Sequence, residues 1–335
     1  MAELLINSTE TLKTLLGGIQ KKSAWPTWMP FVRQATYDHI LPAIGEELLD
    51  FLCNQIGTDD TLVGSVKEKR LLEFVRIALG HYVEMDSELS VLLQKGDGGI
   101  SVASPPNQQA PGKWAIVARI KEARDKADRS IERVLQYLET NANDFPTWKQ
   151  SVAYTVDHSL FLASATEYTA SFGAVQHSRR LYVALRPYLM QAEKKAVLPV
   201  TGKVFLAHLK GKLLDSQAVF SEEENEVLAM IRSIVAHDAF ARSLSYININ
   251  VDGRLVSETD GINNEDTLPE ARRSEMKTAC EATAENEAVK LKKYLDTNAS
   301  ATVLTVYYHS PAYVVSDRKP YRLPKNDDKQ KPFVL

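Results

Sequence analysis

Cysteine is nearly absent: the 335 residues contain only Cys53 and Cys280. Two thiols provide no disulfide framework, and the expectation is a pair of free cysteines in a reducing compartment. Long apolar runs are lacking too. No stretch approaches the roughly 20 apolar residues needed to cross a bilayer. The opening MAELLINSTETL has an acidic Glu3 and no basic region leading into an apolar one, so a secretory leader is not expected. An excess of one charge is also missing. A net charge of −3 gives no global case for nucleic acid or an acidic membrane as a partner. These absences together predict a cytoplasmic globular protein, whose 44% hydrophobic and 25% charged residues are ordinary for that class.

What the chain does have is a repeat. Trp28 to Leu52 returns as Leu185 to Leu209: Pro30 with Pro187, Gln34-Ala35 with Gln191-Ala192, Leu41-Pro42 with Leu198-Pro199, and Gly45 with Gly202, all 157 positions apart. Further on, Val75-Arg76 … Gly80-His81 matches Ile231-Arg232 … Ala236-His237, and Asp97-Gly98 matches Asp252-Gly253. Tyr137 to Ala142 matches Tyr294 to Ala299, again at 157. Weaker matches pair Thr9-Glu10 with Thr166-Glu167 and Ser151 with Ser310. Several blocks in one order mean tandem duplication. The expected domains are 1–159 and 160–314, followed by an arm at 315–335.

Each copy reads as mainly helical. Ser8 is placed to cap a short first helix that ends at Gly17-Gly18. In the next element Phe31, Ala35 and His39 share a helical face, with a bend or restart at Pro42 and Pro199. Helices then follow at about 66–93 and 221–244, the second opening on SEEEN, which suits a cap and the helix dipole. The longest helices run at about 113–141, with an Ile131, Val134, Leu135, Leu138 stripe, and at 270–298, with Pro269 at the start. Residues 145–172 read as one further helix joining the copies. Ile247 to Val251 alternates before Asp252-Gly253, a hairpin signal. Asp97-Gly98 marks a weaker one in the first copy. The fold class expected is therefore mainly α: a duplicated helical domain, a small β-hairpin in each copy, and an extended C-terminal arm.

Chemistry finds little footing. His81 and Glu84, one helical turn apart, could supply two metal ligands, yet the second copy places Phe240 opposite Glu84. A packed, hydrogen-bonded histidine is the plainer reading. Glu46-Glu47 and Glu222 to Glu224 fit helix first turns better than paired catalytic carboxylates. There is no GxSxG, Walker, CxxC or HExxH motif. The clusters Lys67 to Arg70 and Arg179-Arg180 are too short for a nucleic-acid surface. Trp25, Trp28, Trp114 and Trp148 read as packing residues. No catalytic residue, metal or cofactor is expected. The arm DRKPYRLPKNDDKQKPFVL has three prolines, no apolar period, and an apolar tip. Tyr321, Phe333, Val334 and Leu335 are its candidate interaction residues, suited to docking on another subunit.

The pattern carried by Pro30, Phe31, Gln34, Ala35, Leu41, Pro42, Ile44, Gly45 and Leu48 resembles a family of uncharacterised prophage proteins from gut bacteria of the Bacteroides group. The likeness extends to the long helices, both Asp-Gly turns and the Ser178-Arg179-Arg180 … Arg186-Pro187 join. In shape that family is similar to the helical head–tail connector, or adaptor, proteins of tailed phages, which form rings beneath the portal and hold neighbours through extended arms. The resemblance implies a structural role in virion assembly. Its partners would be other copies of the chain and portal or tail proteins, without substrate or membrane, in the host cytoplasm and then the virion. Two other readings stand beside it: an intracellular protein-binding module built of two like domains, and a helical metalloenzyme using His81 and Glu84.

Overall fold

The structure, a computed structural model, describes residues 4–17, 24–57, 60–96, 99–102, 112–215, 217–249 and 268–314. It is mainly helical, and its elements come round twice. The first round comprises α1 (Thr9–Leu16), α2 (Trp25–Ala35), a π turn at Thr36–Ile40, α3 (Leu41–Ile44), α4 (Glu46–Asn54), α5 (Val66–Leu92) and α6 (Lys113–Thr140). Short α7 (Pro146–Lys149) and α8 (Val152–His158) follow. Between α5 and α6, β1 (Leu93–Gly96) and β2 (Gly99–Val102) pair antiparallel, with Leu93 opposite Val102. The second round comprises α9 (Ala165–Ser171), α10 (Arg179–Ala192), a π turn at Glu193–Val197, α11 (Leu198–Thr201), α12 (Lys203–Leu214), α13 (Glu222–Ser243), α14 (Glu270–Asn298) and α15 (Thr305–Tyr308). The hairpin expected in the second copy runs into residues 250–267, outside the described ones, as does the whole arm at 315–335.

Both π turns sit just before a Leu-Pro pair. Proline has no N–H to return to the carbonyl four residues back, and its ring crowds that carbonyl; a widened turn relieves both problems. Hence the bend or restart expected at Pro42 and Pro199 takes the form of a widened turn after which α3 and α11 open on the Leu-Pro pair, and the chain runs on through it. It breaks three residues later, at Gly45 (φ 84°, ψ 158°) and Gly202 (φ 75°, ψ 158°), in a region that essentially only glycine occupies. Space imposes the same choice. A Cβ on Gly45 would lie 2.8 Å from that of Ser151, and one on Gly202 2.7 Å from that of Ala312.

Two hydrophobic clusters form, one from Leu5 to Trp148 and the other from Leu160 to Tyr307. The expected stripe Ile131, Val134, Leu135, Leu138 is buried in the first. On α2, however, the core takes Trp28, Val32, Ala35 and, past the π turn, Ile40. Phe31 and His39 are only half buried, and for His39, inside the wide turn, the extra residue rotates the face. Trp28 and Trp148 pack in the core as expected, whereas Trp114 is 79% exposed.

Polar contacts refine the repeat. Arg76 Nε donates to the Leu5 carbonyl at 2.7 Å, and Arg232 Nε to the Phe161 carbonyl at 3.0 Å. Ser8 and Ser164 cap α1 and α9 by accepting from the Thr11 and Glu167 N–H groups. These pairs are 156 apart, so Glu10 corresponds to Thr166 rather than to Glu167, which corrects the sequence register by one. Capping boxes at Ser65–Glu68 and Ser221–Glu224 open α5 and α13 at the same spacing.

The single joining helix expected at 145–172 is instead three pieces, α7, α8 and α9, with residues 159–164 between the last two. Ser151 and Ser164 each cap a new helix start by accepting an N–H, an alternative to helix continuation that serine readily offers. Leu160, Phe161 and Leu162 between them are buried in the second core, where a continuous helix would have left part of that run facing out.

Candidate assembly interface

The two copies meet across a set of charged side chains drawn from α6 and α8 on one side and α9 and α10 on the other. Arg179, only 5% exposed, is held on a helix whose N-cap is Ser178. Its Nη2 donates to Asp157 at 2.7 Å, and its Nη1 lies 3.9 Å from Glu132. Arg186 Nη2 reaches the other Asp157 oxygen at 2.7 Å. Both guanidinium groups lie over the Tyr182 ring, at 5.0 and 5.7 Å. Asp128 accepts from Ser178 Oγ at 2.9 Å and faces Arg180 Nε at 3.4 Å. Thr166 Oγ1 donates to Glu132 at 3.2 Å and accepts from Gln136 Nε2 at 2.9 Å.

Electrostatics follow from this enclosure. Burial pushes the Glu132 carboxyl up, and Arg179 works against that rise. Arg179 itself is held above its usual range: burial opposes its charge, but Asp157 and Glu132 outweigh the loss of water. At the rim, burial first and then the like charges of Glu167 and Glu132 push Glu139 up to about 7, although Glu139 as a whole remains exposed to solvent. Such a junction contributes little net stability when intact, since desolvation offsets attraction. Its value lies in orientation, because any other docking angle would strand buried charges.

A second ionic tie fixes residues 159–164, between α8 and α9. Glu193, in the second π turn and 4% exposed, accepts from the Phe161 N–H at 2.8 Å and from Lys210, which also donates to the Ser159 carbonyl at 2.7 Å. Burial raises the Glu193 carboxyl and Lys210 partly offsets it. The corresponding first-copy residues are Thr36 and Cys53, and Thr36 Oγ1 simply donates to the Val32 carbonyl at 2.7 Å.

The residues singled out in the sequence are elsewhere. Tyr321, Phe333, Val334 and Leu335 lie outside the described residues. His81 Nδ1 stands 3.4 Å from Glu84, whose carboxylate also takes Arg119. His237 Nδ1 stands 2.8 Å from the Ser233 carbonyl, with its ring against Phe172 at 4.8 Å. Among the described residues, no group of three or more His, Cys, Asp or Glu could hold a metal ion. No described helix is long and apolar enough to cross a membrane. Cys53 and Cys280 are unpaired. The sequence assigns the junction residues no contact: Arg179-Arg180 enters there as a cluster too short for a nucleic-acid surface and as part of the join that carries the family resemblance. A signal was present: Glu132 lies inside the apolar stripe of α6, where an unpartnered charge would be costly.

Comparison with known families matches one family of unknown function (DUF6712) twice, over residues 40–158 and 197–311. The chain belongs to the DUF6712 family. The two matches begin 157 positions apart, at the last residue of each π turn, and together take in more than half the chain. They are compatible with one DUF6712 unit per copy. No curated protein matches, and no solved structure does.

Proposed function

We propose that the chain is a non-enzymatic phage or prophage structural protein, a head–tail connector or adaptor that assembles in a ring with other copies of itself and meets portal or tail proteins. In this reading residues 1–159 and 160–314 are two helical domains, each with a small β-hairpin, and 315–335 is an arm that docks through Tyr321, Phe333, Val334 and Leu335. The carrying observation is the form of the internal junction. One copy offers α6 and the other offers α9 and α10, so the contact is head to tail. Contacts of that kind repeat into rings when the rotation closes and into filaments when it does not.

The test is solution mass by light scattering over a wide concentration range, alone and with portal protein, followed by imaging. Masses that rise in multiples of 37.4 kDa and closed rings in images support the reading. A strict monomer under both conditions overturns it. Loss of association on deleting 316–335 would assign the arm its share, and unchanged association would remove the arm from the proposal.

A further inference from the structure

Three positions of α6 engage the second copy: Asp128, Glu132 and Gln136, one helical turn apart. Their counterparts 157 residues on are Glu285, Val289 and Lys293 of α14, and all three are exposed, Val289 by 70%. The face that α6 uses to receive a neighbour is therefore present again on α14, with no neighbour from the described residues upon it. The complementary surface is also present twice. Thr166, which meets Gln136, corresponds to Glu10 on α1, whose side chain is 84% exposed and, among the described residues, pairs along its own helix with Lys13 at 2.8 Å. Where the internal contact joins Gln136 to Thr166, the repeated one would join Lys293 to Glu10, a neutral pair exchanged for one of opposite charge.

From this we infer that the exposed face of α14 around Val289 receives the α1 end of a second copy of the chain, repeating between chains the contact that α6 makes within one. The inference rests on the assembly reading above and names its surface. The change of chemistry between the two contacts has a physical use. Inside the chain, Glu132 and Asp157 are matched to the Arg179 guanidinium, which a foreign α1 end does not carry. On α14, Val289 makes no such demand. The internal and external contacts thus select different occupants.

The experiment mixes full-length Glu10→Cys and Lys293→Cys chains with a short bismaleimide, using wild type to measure background from Cys53 and Cys280. A cross-linked pair well above background in the mixture, and in neither variant alone, is the expected result. A pair formed equally by one variant alone shows a symmetric contact and overturns the inference. Association in light scattering without the mixed cross-link overturns the α14 face while leaving the assembly reading intact. The mixed cross-link without closed rings keeps the face and removes the ring. Neither association nor cross-link removes both. Val289→Asp supplies the second arm: association should weaken at least tenfold with the melting temperature unchanged, and undiminished association would overturn the proposal.

Discussion

Helices α6 and α14 are one element used twice, 28 and 29 residues long. Each buries the same four positions in its own copy: Ala123, Ala127, Val134 and Leu138 in one, Cys280, Ala284, Leu291 and Leu295 in the other. They part on the neighbouring stripe. Asp128 and Glu132 are 6% and 3% exposed beneath the second copy, while Glu285 and Val289 lie open. The shared stripe defines the fold of a copy. The divergent stripe records what covers it, and a carboxylate marks the face whose partner brings an arginine.

That contrast can be broken most sharply at Arg179. Arg179→Ala removes the buried cation beside Glu132 and one of the two guanidinium groups on Asp157, and should lower unfolding free energy by about 3–5 kcal/mol in denaturant titration. Val289→Ala, on the counterpart of Glu132, should stay within about 0.5 kcal/mol. Comparable losses for the two would mean that the stripes do not differ as described.

Gly45→Ala and Gly202→Ala test what the copies share. Each forces a side chain into a backbone region that costs roughly 1–3 kcal/mol, with Ser151 or Ala312 in the way. The two losses should be similar, and a large difference would separate the copies at their most alike point. Ser65→Ala and Ser221→Ala should each cost about 1 kcal/mol through the lost cap, read by the same titrations.

The smallest effect concerns pH. Glu139 is held at about 7, above its ordinary value, so the folded state binds a proton that the unfolded state releases. Its stabilisation is fully present below the ordinary glutamate range and is lost as pH rises through about 7. Solvent screens a group this exposed. Melting temperatures of wild type and Glu139→Gln from pH 5 to 8 should therefore diverge only modestly, with wild type losing more stability on the alkaline side. Parallel curves would exclude coupling of Glu139 to the junction.

Much of the fold was legible because it rests on local signals. Ser8, Ser221 and Pro269 marked helix starts, and the period of Ile131, Val134, Leu135 and Leu138 marked a buried face. The joining helix failed for a local reason as well: Ser151 and Ser164 could cap as easily as continue, and only the burial of Leu160 to Leu162 decided between the two. The π turns were hidden because no residue type announces them. The Leu-Pro pairs showed that something must yield, without showing that the preceding turn would widen.

By itself the sequence determined that there are two like helical copies and where their long helices run. Those follow from periodicity, capping and repetition, which act within a few residues or between equivalent positions. Only the tertiary structure decided how the copies meet. Asp128, Glu132, Asp157 and Arg179 are far apart in sequence and unremarkable one at a time. Each becomes meaningful when burial removes the water that would otherwise satisfy its charge, and burial depends on which surface comes to cover it.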